Sequence, residues 1–183
     1  MKNIEIEMKY KITKTIYDEI IEFLKKENIE EKLERQNDIY FSPIHFPFLG
    51  GTINNECLRL RVLDDKNILS YKKFVPATHE EPSHCIEHEL KIFDIETLKL
   101  ILKDLRINEE FTLKKERKSF IYKNNIEIAL DKVDSLGYFI ELEVINQENI
   151  NVTLEDINKF LEKFNISEEM RNYDGYSYLL FNK

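Results

Sequence analysis

Charged residues alternate with apolar ones at the start of the chain, in a pattern that could bind metal ions and a polyanion. In the predicted first strand, Glu5, Glu7 and Lys9 share one face, because successive side chains of a strand point to opposite sides. The apolar residues from Ile4 to Ile12 take the other face. Carboxylates are hard oxygen ligands for divalent cations, and an ammonium group pairs with anions. The same pattern is also typical of a solvated strand face, so its meaning depends on the rest of the chain.

The same segregation of charge recurs in the other predicted strands. Such faces could be the water-exposed side of one amphipathic sheet. Alternatively, a sheet closed with its charged faces inward would form a tunnel for divalent cations and a polyanion, which would offset the cost of burying like charges. The residues that share faces are Arg59 with Arg61, Glu87 with Glu89 and Lys91, Lys115 with Arg117, Glu127 with Asp131, and Glu141 with Glu143, while Lys72 lies in a strand with Leu69 and Tyr71.

Composition limits the class of protein. The chain has 183 residues, 34% of them charged and 42% hydrophobic, which suits one globular domain. Its net charge of −8 argues against general binding to nucleic acid. No apolar run approaches the length of a membrane span, and the charged start contains no signal sequence. The only two cysteines, Cys57 and Cys85, are far apart in the sequence, which fits a reduced protein better than a disulfide framework. We therefore expect a cytoplasmic location.

Hydrophobic periodicity predicts an α+β fold with a mostly antiparallel sheet or barrel and helices packed outside. Helices are expected from Thr13 to about Lys26, from a cap at Asp94 to about Leu105, and from Leu154 to Phe164 with Thr153 as the cap. The second helix should bury Leu98, Ile101, Leu102 and Leu105. The order strand, helix, strands occurs from residue 1 and again from residue 84, which suggests an internal duplication. Strands are expected at Ile4–Ile12, Gln36–Phe41, Cys57–Leu63, Ile68–Phe74, His84–Phe93, Phe111–Tyr122, Ile126–Val133 and Tyr138–Ile145, with a short segment near Tyr176–Phe181.

Together these motifs resemble the CYTH family, also called triphosphate tunnel metalloenzymes, over essentially the whole chain (residues 1–183). The last long block is most similar to the class IV adenylyl cyclase branch, although Cys85 stands where a basic residue is expected. In chain order the matching motifs are Glu5-x-Glu7-x-Lys9, Gln36-x-Asp38-x-Tyr40-Phe41, Leu58-Arg59-Leu60-Arg61, Tyr71-Lys72, Glu87-x-Glu89, Lys115-x-Arg117, Leu130-Asp131-x-Val133, Leu136-Gly137-x-Phe139-x-Glu141-x-Glu143 and Tyr178-Leu179-Leu180.

The resemblance implies a closed eight-stranded antiparallel barrel whose tunnel holds a triphosphate and Mg²⁺ or Mn²⁺. By position, Glu7, Lys9 and Asp131 would be catalytic. The residues expected to contact the phosphates are Lys9, Arg59, Arg61, Lys72, Lys115 and Arg117. The residues expected to hold or support the metal are Glu5, Glu7, Glu87, Glu89, Asp131, Glu141 and Glu143.

Three functions stay open at this point. The resemblance favours a cyclase that converts ATP to cyclic AMP and pyrophosphate. The alternatives are a hydrolase of tripolyphosphate, thiamine triphosphate or a nucleoside triphosphate, and a non-catalytic binder of polyphosphate or nucleotide. A homodimer is compatible with such a barrel. A zinc site at His79, His84, Cys85 and His88 is disfavoured, because the spacing matches no complete zinc motif.

Overall fold

A computed structural model of the chain describes residues 7–48, 56–75, 84–145 and 150–181. They fall into two compact units. The first contains residues 1–34 and 115–173, and the second contains residues 35–114 and 174–183. No helix within the described ranges is both long and apolar enough to cross a membrane.

Eight strands and four α-helices make up the described chain. The helices are α1 (Lys14–Lys26), α2 (Ile95–Asp104), α3 (Ile150–Lys163) and α4 (Tyr176–Phe181), with a 3-10 turn at Glu168–Met170. The strands are β1 (Glu7–Ile12), β2 (Lys32–Pro43), β3 (Glu56–Val62), β4 (Asn67–Val75), β5 (His84–Ile92), β6 (Ile107–Tyr122), β7 (Ile126–Val133) and β8 (Gly137–Val144).

All eight strands belong to one antiparallel sheet in the order β1-β8-β7-β6-β2-β3-β4-β5. The predicted α+β class and the antiparallel sheet are therefore confirmed. Hydrogen bonds among the described residues do not close this sheet into a barrel. One reason lies in the first unit: Asn172 donates its backbone N–H to the carbonyl of Lys9, and Arg171 forms a bridge with Tyr10. That contact occupies the second edge of β1 at these positions.

The strand order supports the predicted internal duplication. The segments β1-α1-β2-β3-β4 and β5-α2-β6-β7-β8 have the same element sequence. Exchanging each strand of one segment with its counterpart in the other reproduces the observed order in reverse. Within this scheme, Glu5-x-Glu7-x-Lys9 at the start of the first segment has a counterpart in Glu87-x-Glu89-x-Lys91 of β5.

The first unit packs α1 and α3 against the apolar face of its strands. Tyr10 and Ile12 of β1 are buried in this core, as their alternation with Lys9 and Lys11 predicts. Further core members come from α1 (Tyr17, Ile20, Leu24), α3 (Ile157, Phe160, Leu161), the residue that follows α3 (Phe164), β7 (Ile126, Ile128, Leu130) and β8 (Ile140, Leu142, Val144). Burying this face leaves the charged side chains of the same strands on the opposite side.

The second unit has a smaller core, in which α2 covers β2 and β3. Leu102 is 6% exposed and packs with Ile39, Phe41 and Leu60. The predicted buried stripe of α2 is partly wrong, because Ile101 is 51% and Leu105 is 65% exposed. Ile101 turns away from the face of Leu102, since successive helical residues are rotated by about 100°. Leu105 is the C-cap residue that follows the last turn of α2.

One of the two predicted helix caps, Asp94, is confirmed, and Thr13 also caps its helix. The Thr13 hydroxyl accepts a hydrogen bond from the backbone N–H of Ile16, and the Asp94 carboxylate accepts one from that of Thr97. Such side chains satisfy N–H groups that have no partner in the first helical turn. The other predicted cap is wrong, because α3 already begins at Ile150 and Thr153 lies inside it.

Candidate functional site

The first unit holds two cations on a buried aspartate. Lys115 Nζ donates to Asp131 Oδ2 at 2.7 Å. Arg117 donates from Nε to Oδ1 at 2.8 Å and from Nη2 to Oδ2 at 2.6 Å, and it also contacts Glu141. The Asp131 side chain is 0% exposed and that of Lys115 is 2% exposed. These side chains therefore do not form a solvated strand face.

Electrostatics keep both acidic partners ionised. Burial alone would raise the pKa of Asp131, but the charges and hydrogen bonds of Lys115 and Arg117 hold it well below its usual value. Burial and the neighbouring Asp131 also raise the pKa of Glu141, yet Arg117, Lys115 and Lys9 leave it lowered overall. A compact group of fixed positive and negative charges results, and its cations already lie beside carboxylates.

Strand register places further predicted residues in rows beside this group. Glu7 of β1 lies opposite Glu143 of β8, which in turn lies opposite Glu127 of β7. Two residues further along β1, on the same face, Lys9 lies opposite Glu141. Opposing residues of an antiparallel pair have Cβ atoms about 4.5–5.5 Å apart, and like charges at such positions destabilise the sheet. A bound cation would relieve that repulsion.

The donor chemistry of this row fits a hard divalent cation such as Mg²⁺ or Mn²⁺, because all three side chains are carboxylates. Within the described ranges, however, no three histidine, cysteine, aspartate or glutamate side chains are already gathered as a metal site. The predicted ligand Glu5 lies outside the described residues. The carboxylates therefore suit a metal by chemical type and register rather than as a preformed cage.

The second unit repeats the arrangement of two cations around one buried aspartate. Asp38 lies opposite Arg61 in the β2–β3 ladder and accepts two hydrogen bonds from its Nε and Nη2, each at 2.8 Å. Nη1 of Arg59 lies 3.8 Å from Asp38 Oδ2. Burial alone would lower the pKa of Arg59, but Asp38 and other neighbours raise it, so the guanidinium stays charged.

The remaining predicted residues of this unit lie on β4 and β5. Lys72 lies opposite Glu87, and its Nζ is 3.1 Å from Glu87 Oε2. Glu89 is exposed and lies opposite the buried Ser70. The two predicted metal-supporting residues of β5 therefore differ from each other. Glu87 already pairs with Lys72, whereas Glu89 faces solvent.

The structure brings most of the predicted residues into two groups, one in each unit. The first unit contains Glu7, Lys9, Lys115, Arg117, Asp131, Glu141 and Glu143. The second unit contains Arg59, Arg61, Lys72, Glu87 and Glu89. These positions do not test the roles assigned to the residues, so the roles stay predictions. Sequence reasoning assigned no role to Asp38 or Glu127, although Asp38 lies in a quoted motif and Glu127 shares a face with Asp131.

The disfavoured zinc site gains no support. His79 lies outside the described residues, as do the side chains of His84 and Cys85. His88 is exposed on β5, as predicted, and stacks on Tyr71 with ring centroids 6.4 Å apart. Stacking on a neighbouring ring accounts for this histidine without a metal.

Comparison with models of protein families shows to which family the chain belongs. The model of the CYTH domain matches residues 3–173, which run through both units. The chain belongs to the CYTH family. Enzymes of this family depend on metal ions and take triphosphate substrates. The resemblance to this family is therefore confirmed.

Relatives of this CYTH domain include proteins named as cyclases. The chain is 33% identical over 171 residues to "Putative adenylate cyclase MJ0240" from Methanocaldococcus jannaschii, covering 91% of this chain and 92% of that protein. A solved structure from Pyrococcus horikoshii is 25% identical, with a TM-score of 0.75 and coverage of 97% and 98%. A Hippeastrum protein described as a cyclase with dominant triphosphatase activity is 18% identical, with a TM-score of 0.66 and coverage of 98% and 94%. At 18% identity, the similarity to the Hippeastrum protein shows a shared fold only.

Proposed function

We propose that this CYTH domain is a metal-dependent enzyme that acts on a triphosphate, as a class IV adenylyl cyclase that converts ATP to cyclic AMP and pyrophosphate. The register of β1, β8, β7 and β6 carries this proposal. It sets Glu7 opposite Glu143 and Lys9 opposite Glu141, and Glu141 contacts Arg117, which shares Asp131 with the buried Lys115. Carboxylates for a divalent cation and cations for phosphate oxygens are the two requirements of phosphoryl chemistry.

The proposed roles follow the chemistry of each side chain. Glu5, Glu7, Glu141 and Glu143 hold Mg²⁺ or Mn²⁺, and Glu87 and Glu89 support it. Asp131 also supports it, as a carboxylate that binds the metal directly or through water. Lys9, Arg59, Arg61, Lys72, Lys115 and Arg117 contact the phosphates. The closed barrel expected for the family is part of this proposal, as is a homodimer.

In the cyclase reaction, the ribose 3′-oxygen attacks the α-phosphorus. The bond from that phosphorus to the oxygen leading to the β-phosphorus breaks, pyrophosphate leaves and the hydroxyl proton is released. The bound metal ion would neutralise charge on the phosphates. Arg117 presents a guanidinium whose position is fixed by Asp131 and Glu141, so its charge is in place before the reaction. Lys9, opposite Glu141, adds a second cation beside the same carboxylate.

A triphosphatase is the second candidate, supported by the described activity of the Hippeastrum protein. Here a water oxygen attacks the terminal phosphorus and the bond from that phosphorus to the bridging oxygen breaks. Orthophosphate, the diphosphate product and a proton are released. The same carboxylates and cations serve both reactions, because both neutralise charge on a triphosphate. A non-catalytic binder is less well supported, since cations alone would suffice for binding.

Product analysis tests the proposal. The protein is incubated separately with ATP, tripolyphosphate and thiamine triphosphate in the presence of Mg²⁺ or Mn²⁺, and the products are resolved by chromatography. We expect cyclic AMP and pyrophosphate from ATP. Orthophosphate from any of the three compounds identifies the triphosphatase instead. If no product forms but tripolyphosphate raises the melting temperature, the protein is a binder and the enzymatic proposal fails.

A further inference from the structure

Helix α2 leaves apolar side chains in water on the side that faces away from the core of the second unit. Leu100 is 62% and Ile101 is 51% exposed, whereas Leu102 points into the core. Phe93, which directly precedes the capping residue of this helix, is 95% exposed. Apolar side chains grouped on a surface in this way are typical of a site that another molecule covers.

The equivalent helix of the first repeat has the corresponding position covered. Counted from the caps of the two helices, Ile101 of α2 corresponds to Ile20 of α1. Ile20 is 0% exposed, in a core to which α3 also belongs. The two helices meet directly at Phe23 of α1 and Phe160 of α3, whose ring centroids are 6.2 Å apart. Helix α3 follows β8, and the described chain has no equivalent helix after β4, so α2 lacks this cover.

The charges beside the exposed face of α2 suit a second copy of the same helix that runs in the opposite direction. Glu96 and Lys103 are both exposed, near opposite ends of the helix. They share one flank, because their spacing of seven residues is close to two helical turns. Around a twofold axis, a contact from one residue to another is repeated in the reverse sense. An antiparallel pair of α2 helices would therefore place Glu96 of each copy opposite Lys103 of the other.

We propose that the outer face of α2 is the interface of a homodimer, in which α2 packs antiparallel against α2 of a second copy. Leu100 and Ile101 lie about midway between the two flanking charges, so they would meet at the twofold axis. Phe93 extends the apolar contact at each end. A contact built on one short helix belongs to the small interfaces, below about 1,200 Å² in total, so the dimer should be weak and dependent on concentration.

The inference rests on the proposed function only in giving its homodimer a definite surface. The residues proposed to bind metal or triphosphate all lie outside α2. Association is measured without substrate, so the failure of this interface and the failure of the proposed reaction are separate results.

Sedimentation velocity at concentrations from about 1 μM to about 100 μM tests the interface. The unchanged protein should pass from monomer to dimer in this range. Ile101→Lys places two like charges near the twofold axis and should weaken the dimer about 30-fold or more, the effect of a central interface residue. Ile145→Lys, at a residue that is 49% exposed in the first unit, is the matched control and should dimerise normally. Circular dichroism melting checks that both variants fold.

An exchange of charges tests the antiparallel arrangement itself. Glu96→Lys and Lys103→Glu each place like charges opposite each other across the axis, so each variant alone should dimerise about 10-fold more weakly. A mixture of the two variants should form a mixed dimer as stable as that of the unchanged protein, because opposite charges then meet at both pairs. The inference is overturned if the unchanged protein stays monomeric, if Ile101→Lys dimerises normally, or if the mixture associates no better than the single variants.

Discussion

Arg117 lies directly across the β6–β7 ladder from Asp131 and donates two hydrogen bonds to it, at 2.8 Å and 2.6 Å. Lys115, two residues earlier on the same strand face, donates to the same carboxylate. One acidic side chain thus holds two cations in fixed positions inside the first unit. Fixed cations are suited to a substrate with several negative charges, because no rearrangement is needed when it binds.

Acid should destabilise the protein partly through Asp131. Its pKa is lower in the folded than in the unfolded state, where an aspartate titrates near about 3.9. Below that value the unfolded chain binds the extra proton first, so stability is complete above about pH 4 and falls as the pH drops further. Urea unfolding between pH 7 and pH 3 should show this slope, and Asp131→Asn should reduce it.

The same substitution should cost stability at pH 7. Asp131→Asn leaves the buried charge of Lys115 beside a neutral partner and leaves Arg117 with Glu141 as its carboxylate. Removing one partner of a buried ion pair costs about 3–5 kcal/mol in comparable cases. Asp64→Asn, in an exposed turn, is the control and should leave both the midpoint and the acid slope unchanged. Equal acid slopes in Asp131→Asn and the unchanged protein would contradict the ionised, paired state of Asp131.

Carboxylates proposed as metal ligands should be required for turnover but not for folding. In Glu7→Gln and Glu141→Gln we expect product formation to fall by about 100-fold or more, since each loses a charged metal ligand. Arg117 keeps its two hydrogen bonds to Asp131 in the second variant, so the cation cluster should survive. Circular dichroism melting checks the fold. Glu155→Gln, at an exposed position of α3, serves as the control, and full activity in both test variants would refute the metal assignment.

The row of three glutamates should be under electrostatic repulsion when divalent cations are removed. Glu127→Gln relieves the contact with Glu143, so in chelator it should raise the free energy of unfolding by about 0.2–1 kcal/mol. Glu116→Gln is a control that should lower the free energy of unfolding, because Glu116 lies opposite Lys132 and the substitution removes an attraction. Urea unfolding of both variants measures the difference. Destabilisation by Glu127→Gln would show that the row is not repulsive.

Helix α2 should depend on one buried residue rather than on the whole predicted stripe. Leu102→Ala removes a buried side chain and should cost about 2–5 kcal/mol. Ile101→Ala, at a neighbouring side chain that is 51% exposed, should cost under about 1 kcal/mol. Chemical unfolding of the two variants in dilute, monomeric protein compares them directly. Similar losses at both positions would mean that Ile101 is covered within the single chain.

Local signals in the sequence predicted the elements well where the deciding contacts are local. Asp94 caps α2 as expected, because a cap needs only the next three residues. The α2 stripe was only partly correct, since burial of Ile101 depends on what the distant strands place opposite it. Thr153 was misread as a cap because the turn of α3 that precedes it carries weak helical signals.

The sequence by itself determined which residues carry charge, which strand faces they share and that the chain belongs to the CYTH family. Alternation with period two and motif order suffice for that. Only the tertiary structure decided that Glu7 lies opposite Glu143, that Arg61 is tied to Asp38, and that Lys115 and Asp131 are buried together. Strand register and burial depend on contacts between segments far apart in the chain, and a shift by one residue would send every side chain to the other face.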